Sequence, residues 1–183
     1  DSICKNGKTL QMLNLNCSFL DESKMKEIIT CCQELKEVDL AYVTAVKRTN
    51  YEYTGEYFEL LAVNIAPKVE MLNLGGTSVM DDEIKILLSR CKKIKVLNLE
   101  DTGITDDSII NIRQRLNLTL EELSLSVGLS NDFLSFNGFL ELKHMPRLKI
   151  LNLLFKNGSC EKVQNLRRHL SCLMIKVSPP FYH

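Results

Sequence analysis

Residues 9–35 read TLQMLNLNCSFLDESKMKEIITCCQEL, and the tripeptide Leu13-Asn14-Leu15 within them is spelled again at Leu72-Asn73-Leu74, Leu97-Asn98-Leu99 and Leu151-Asn152-Leu153. Each copy has an apolar residue three positions before its first Leu: Leu10, Val69, Ile94 and Leu148. Aligning the whole chain on apolar-x-x-apolar-x-apolar adds Leu35/Val38/Leu40, Leu120/Leu123/Leu125 and a weaker Leu170/Leu173/Ile175, seven registers in all. Successive registers start 25, 34, 25, 26, 28 and 22 residues apart.

A period in that range with that spacing is the signature of a leucine-rich repeat. The alternation says why the spelling recurs. In a short strand Leu13 and Leu15 point to one side while Met12, Asn14 and Asn16 point to the other. Stacking such strands in parallel buries each Leu against its counterparts above and below, so every layer has the same slot to fill. A buried Leu contributes roughly 1.5–3 kcal/mol.

Between strands the apolar period changes from 2 to 3.6. Met25, Ile28, Ile29 and Cys32 share one helical face, as do Ile84, Leu87, Leu88 and Cys91, with a thinner version in Ile109, Ile112 and Leu116. Acidic residues stand at the starts of these segments, Asp21-Glu22, Asp81-Asp82-Glu83 and Asp106-Asp107, and basic ones toward the ends, Lys92-Lys93 and Arg167-Arg168. That polarity complements a helix dipole and predicts solvated helix ends. Each unit is therefore strand, turn, helix. The expected fold class is α/β, a leucine-rich-repeat solenoid or horseshoe with a parallel sheet on the concave face and helices on the convex one. The expected domain runs over residues 1–177, with residues 178–183 as a tail. Nothing in the opening residues DSICKNGK could cap a first layer, so the chain reads as a fragment of a longer one.

Composition narrows the chemistry. Lys plus Arg and Asp plus Glu number 23 each, so no net field draws the 183-residue chain to nucleic acid or to an anionic membrane. No apolar run approaches the ~20 residues that cross a bilayer. Seven cysteines include no Cys-x-x-Cys, and His144, His169 and His183 do not sit at zinc-site spacing from a Cys. They read as reduced thiols filling small apolar slots in a cytoplasmic or nuclear protein. Gly75-Gly76 lacks the rest of a phosphate-binding motif, and the Asp pairs repeat with the unit as helix caps do. No cofactor, no metal and no catalytic residue is expected.

Two regions depart from the repeat. The 34-residue second unit carries four of the five Tyr, Tyr42, Tyr51, Tyr53 and Tyr57. Either these serve binding, as insertions on repeat proteins often do, or they pack on a buried helical face of Phe58, Leu61 and Ile65. The outward columns are the second. One reads Asn14, Asp39, Asn73, Asn98, Ser124, Asn152, Met174; the column before it contains Met71 and Val96, apolar residues that a partner or the chain's own tail could cover.

The segments CQEL, CKKI and TGITDDSIINI, together with the LNL strands, resemble the cysteine-containing leucine-rich repeats of F-box proteins. Cys32 and Cys91 stand three before Leu35 and Ile94, as in that family. VNIAPKVEMLNLGG, LELKHMPRLKILNL and SCEKVQNLRRHLSCLMIKVS extend the likeness over nearly the whole chain. The resemblance implies the substrate-recognition part of an SCF-type cullin ubiquitin ligase. An upstream F-box would dock the Skp-type adaptor and cullin, and the horseshoe would hold the substrate protein. A small Cks-type accessory protein is the further implied partner. It also implies phosphate reading by arginines just after two inner-face strands, but the matching positions here are Thr77 and Val127, which cannot pair with phosphate. The expected contact surface is Tyr42, Gly75, Thr77, Val96, Asn98, Glu100, Ser124 and Ser126, with Phe181 and Tyr182 as a cover or gate. The alternative is a leucine-rich-repeat scaffold or inhibitor unrelated to ubiquitination.

Overall fold

A computed structural model describes residues 2–46, 56–127, 133–155 and 160–178. Strands β1 (Met12–Asn14), β3 (Glu37–Asp39), β5 (Met71–Asn73), β6 (Val96–Asn98), β7 (Glu122–Val127), β8 (Ile150–Phe155) and β9 (Met174–Ser178) form one sheet in that order, every pair parallel. Helices α1 (Ser2–Asn6), α2 (Glu22–Cys31), α3 (Glu56–Asn64), α4 (Asp81–Leu88), α5 (Asp106–Leu116), α6 (Phe136–Glu141) and α7 (Cys160–His169) alternate with the strands, each touching the next. The fold is α/β with a parallel sheet and helices, of leucine-rich-repeat-like type.

The pairing confirms six of the seven registers. Leu13, Val38, Leu72, Leu97, Leu123 and Leu151 lie side by side across the sheet. They join Met25, Ile28, Ile84, Leu87, Ile109 and Ile112 from the helices in one core. The second Leu of each unit follows: Leu40, Leu74, Leu99, Leu125 and Leu153 are sealed, while Leu15 in the first layer is only half-buried. The seventh register is corrected. Leu151 pairs with Ile175 and Leu153 with Val177, so Ile175 takes the first Leu position, not the second. Leu170 and Leu173 are buried in the turn before β9, where the Leu173 N–H donates to the Leu170 carbonyl. Their spacing imitates a strand two residues early. The middle outward position of the last strand is therefore Lys176, not Met174, and Ser178, expected to open the tail, belongs to β9.

Two further features separate the structure from the reading of the sequence. A second, two-stranded parallel sheet joins β2 (Phe19–Asp21) to β4 (Thr44–Val46) beyond the turns of the first two units. Cys4 and Cys31 form a disulfide between α1 and α2, their Cα atoms 5.5 Å apart, so the expectation of a wholly reduced set is corrected for this pair. They lie 27 residues apart in sequence, and only the docking of α1 on α2 brings them together. Cys32 and Cys91 do fill apolar slots, and burial pushes the Cys91 thiol up to about 12.

The acidic helix starts do more than complement dipoles. The Asp81 carboxylate at the start of α4 accepts the Thr105 N–H (2.9 Å) and hydroxyl (2.8 Å) and the Ser108 hydroxyl of the next unit. One unit on, Asp106 accepts the Ser135 N–H and hydroxyl. Thr105 and Ser135 in turn cap α5 and α6. Each staple thus ties one helix to the cap of its neighbour. A Cβ at Gly138 would lie 2.0 Å from Asp106 Oδ1, so this staple requires a residue without a side chain there.

Burial by itself raises the Asp81 pKa, but the hydrogen bonds from Ser108 and Thr105 outweigh it and hold the carboxyl below its ordinary value. A depressed carboxyl stabilises the fold above its unfolded pKa and loses that contribution as pH falls through the folded one. Asp81→Asn is expected to lower stability near neutrality and to flatten the acid limb of the stability profile below about pH 4. Urea unfolding across pH checks this, and parallel acid limbs for the two proteins would refute it.

Candidate binding face

The sheet side opposite the helices is built by the outward residues of each strand. Its middle column explains the recurring Asn. Asn14, Asp39, Asn73 and Asn98 each turn Oδ1 back to accept the N–H two residues on, from Asn16 (2.9 Å), Ala41 (3.0 Å), Gly75 (3.1 Å) and Glu100 (2.8 Å). This is the side-chain turn that Asn and Asp form with their own backbone. The bend it starts passes through a left-handed residue one position later: Cys17, Tyr42, Gly76 and Asp101 have φ between 54° and 67°. From β7 onward the strands run straight through instead. Asn152 there donates to Glu122 Oε1 (2.7 Å) and Ser124 Oγ (3.0 Å).

Against this frame the expected contact residues divide. Thr77 is buried, and its hydroxyl donates to the Leu74 carbonyl at 2.6 Å. Gly75 is buried, its place for a Cβ 3.3 Å from Asn73 Oδ1 and 3.4 Å from Asn98 Oδ1. Ser124 is buried as an acceptor for Asn152. These three belong to the framework of the face. Ser126 is half-buried, and its Oγ accepts the Asp101 N–H at 2.7 Å, where the layers before it use a backbone carbonyl. Val96, Asn98 and Glu100 come together half-buried on β6 and just beyond it, and Tyr42 is 47% exposed. Phe181, Tyr182, Tyr51 and Tyr53 lie outside the described residues. In the Tyr-rich unit the packing reading holds for Tyr57, which is buried and stacks on Phe58, while Tyr42 stays at the surface.

Tyr42 lies against the turn of the next unit. A Cβ on Gly76 would stand 2.2 Å from its ring, and the Tyr42 N–H donates to the Gly75 carbonyl (2.7 Å). Gly76→Ala therefore meets both a left-handed backbone, worth about 1–2 kcal/mol, and the ring. Tyr42→Ala in the same chain is expected to relieve part of that loss, giving a coupling of about 0.5 kcal/mol or more in a double-mutant cycle. Strictly additive losses would show that the ring does not press on Gly76.

Charge on the two sides of the strand starts is arranged differently. Along the rim, Glu70 meets Lys95 at 2.7 Å and Glu121 meets Lys149 at 2.6 Å, with Glu34 and Lys68 paired as well. The hydrogen bond and field of the lysine hold Glu70 and Glu121 below the ordinary carboxylate range. On the open face, Glu37, Asp39, Glu100 and Glu122 form no ion pair among the described residues. Burial pushes the Glu100 carboxyl up, against a hydrogen bond from Asn98 that lowers it. The one cation described on these columns is Lys176, on the last strand.

Among the described residues no group of three His, Cys, Asp or Glu converges to hold a metal, and no helix is long and apolar enough to cross a membrane. The left-handed turns and the Asp staples went unread in the sequence. The signal for the first was present, an Asn or Asp at one fixed place in four successive units.

No protein-family profile and no curated protein matches the chain. Among solved structures it is similar to leiomodin-1 actin-binding site 2, with 17% identity over 93% of this chain and 84% of that one, at a TM-score of 0.49. It is also similar to the leucine-rich repeat-containing protein LegL7 from Legionella pneumophila, with 17% identity over 85% of this chain and 60% of that one, at a TM-score of 0.41.

Proposed function

We propose that the chain is the substrate-recognition domain of an F-box protein in an SCF-type cullin ubiquitin ligase, similar to the last repeats of S-phase kinase-associated protein 2. In this reading the stacked units curve into a solenoid whose concave side is the open sheet face, where a substrate protein docks. The domain is a non-catalytic binding subunit of the cytoplasm, the nucleus or both, and adaptor and cullin attach through an F-box outside this chain.

The observation that carries the binding role is the alternation along the registered strands. Val38, Leu72, Leu97 and Leu123 are sealed, while their strand neighbours Glu37, Met71, Val96 and Glu122 remain half-buried on the other side. A side of a sheet that keeps apolar and charged groups within reach of solvent suits a polypeptide partner. The ligase assignment is supported by the wording of the repeats, CQEL and CKKI with their buried Cys32 and Cys91 among it. Phosphate reading by arginines is not carried over, because Thr77 and Val127 are both buried as well as uncharged.

Co-precipitation of the full-length protein with a Skp-type adaptor tests the assignment. Retention of adaptor by the full-length protein, and its loss with this 183-residue chain alone, is the expected result. A full-length sequence that continues the repeats upstream and retains no adaptor would replace the ligase with a scaffold or inhibitor.

A further inference from the structure

We propose that the open face takes an extended, unphosphorylated basic segment, with two cationic side chains flanking an apolar one. The proposal rests on the reading that this face docks a polypeptide, and it names the chemical class.

Four carboxylates on the face, Glu37, Asp39, Glu100 and Glu122, make no ion pair among the described residues, although the neighbouring rim carboxylates Glu70 and Glu121 do. The fold does not demand this charge. Asp39 forms the same backbone turn that Asn14, Asn73 and Asn98 form without charge. Glu37 occupies a position filled by Met12, Met71 and Val96 in neighbouring layers. Carboxylates left unneutralised on an accessible face attract cations, and a phosphorylated segment would be repelled.

Spacing sets the form of the segment. Glu37 and Asp39 stand on β3; Glu122 stands on β7, three strands away, with Met71 and Val96 between them in the same column. Three strand separations are about 14 Å. A chain lying across the strands at ~3.3 Å per residue covers that in about four residues. In an extended chain the first, third and fifth side chains of such a stretch point the same way. The cation at one end then meets Glu37 with Asp39 and the cation at the other meets Glu122, while the middle side chain rests on Met71 and Val96. Lys176 lies two strands beyond Glu122 and bounds the acidic region on that side.

The test is fluorescence anisotropy of the 183-residue chain with labelled peptides built around Arg-Ser-Leu-Ser-Arg. Comparison peptides carry the same residues as Arg-Arg-Ser-Leu-Ser, the two Arg replaced by Gln, or phosphoserine in place of both Ser. The first peptide is expected to bind best, with affinity falling steeply as salt rises. The triple substitution Glu37→Gln, Asp39→Asn, Glu122→Gln retains every side-chain oxygen that accepts a hydrogen bond. It is expected to weaken that peptide by about tenfold or more while leaving the circular dichroism spectrum and melting temperature of the domain unchanged. If the Gln or phosphoserine peptide binds as well as the Arg peptide, the basic class is wrong and peptide docking on the face survives; if the triple variant binds the Arg peptide undiminished, the carboxylates of this face do not hold it and the proposal is overturned. If none of the peptides binds the native chain, both readings fall.

Discussion

Leu99→Ala is expected to lower the unfolding free energy by about 2–5 kcal/mol. Leu99 is 1% exposed and lies between Leu74 and Leu125, which are completely buried. Truncation therefore removes apolar contacts on both sides at once, and a stacked interior relaxes little into the space. In a repeat array each unit holds to its neighbours, so the loss falls on two interfaces. For a chain of this length the melting temperature should fall by about 2–4 °C for each kcal/mol. The exposed Leu118, removed to Ala in parallel, should stay within about 0.5 kcal/mol of the native protein. Equal melting of Leu99→Ala and the native chain would mean that the layers do not stack as described.

Phe58→Ala is the second large effect, about 3–5 kcal/mol. Phe58 is 1% exposed on α3, and the Tyr57 ring stacks on it with centroids 4.3 Å apart. It belongs to the long second unit, where the sequence departs most from the repeat. Leu61, Ala62 and Ile65 share its buried face, and α3 packs between α2 and α4. The prediction therefore asks whether the insertion is part of the stack or an appendage to it. Val63 on the same helix is 62% exposed, and Val63→Ala should be nearly silent in the same urea titration. A small loss at Phe58 would make α3 an appendage.

Much of this molecule was legible before any coordinates. Strand register within a unit depends on residues only two or three apart, so Leu13/Leu15 and its counterparts announced themselves. Helical faces such as Ile84, Leu87 and Leu88 repeat within a turn and were equally plain. The recurring Asn could also have been read, because its hydrogen bond reaches only two residues along the chain. The last strand was misread for the same local reason. Leu170 and Leu173 carry the right spacing, and only pairing with β8 shows that Ile175 holds the Leu position.

The candidate site was less accessible. Gly75, Thr77 and Ser124 belong to strands or turns of the open face, yet each is buried among its surroundings. Whether an outward residue faces solvent or a neighbour depends on the layer beside it, which no single unit encodes. The same holds for Tyr42 against Gly76, for Cys4 with Cys31, and for Asp81 and Asp106 reaching into the next helix cap.

By itself, then, the sequence determined the period, the strand positions of six units and the inner face of the helices, because these are repetitions within one turn or one strand. The tertiary structure alone decided that, among the described residues, the rim carboxylates Glu34, Glu70 and Glu121 are paired while those of the open face are not. Their partners Lys68, Lys95 and Lys149 lie about a full repeat away along the chain, and only stacking sets them side by side.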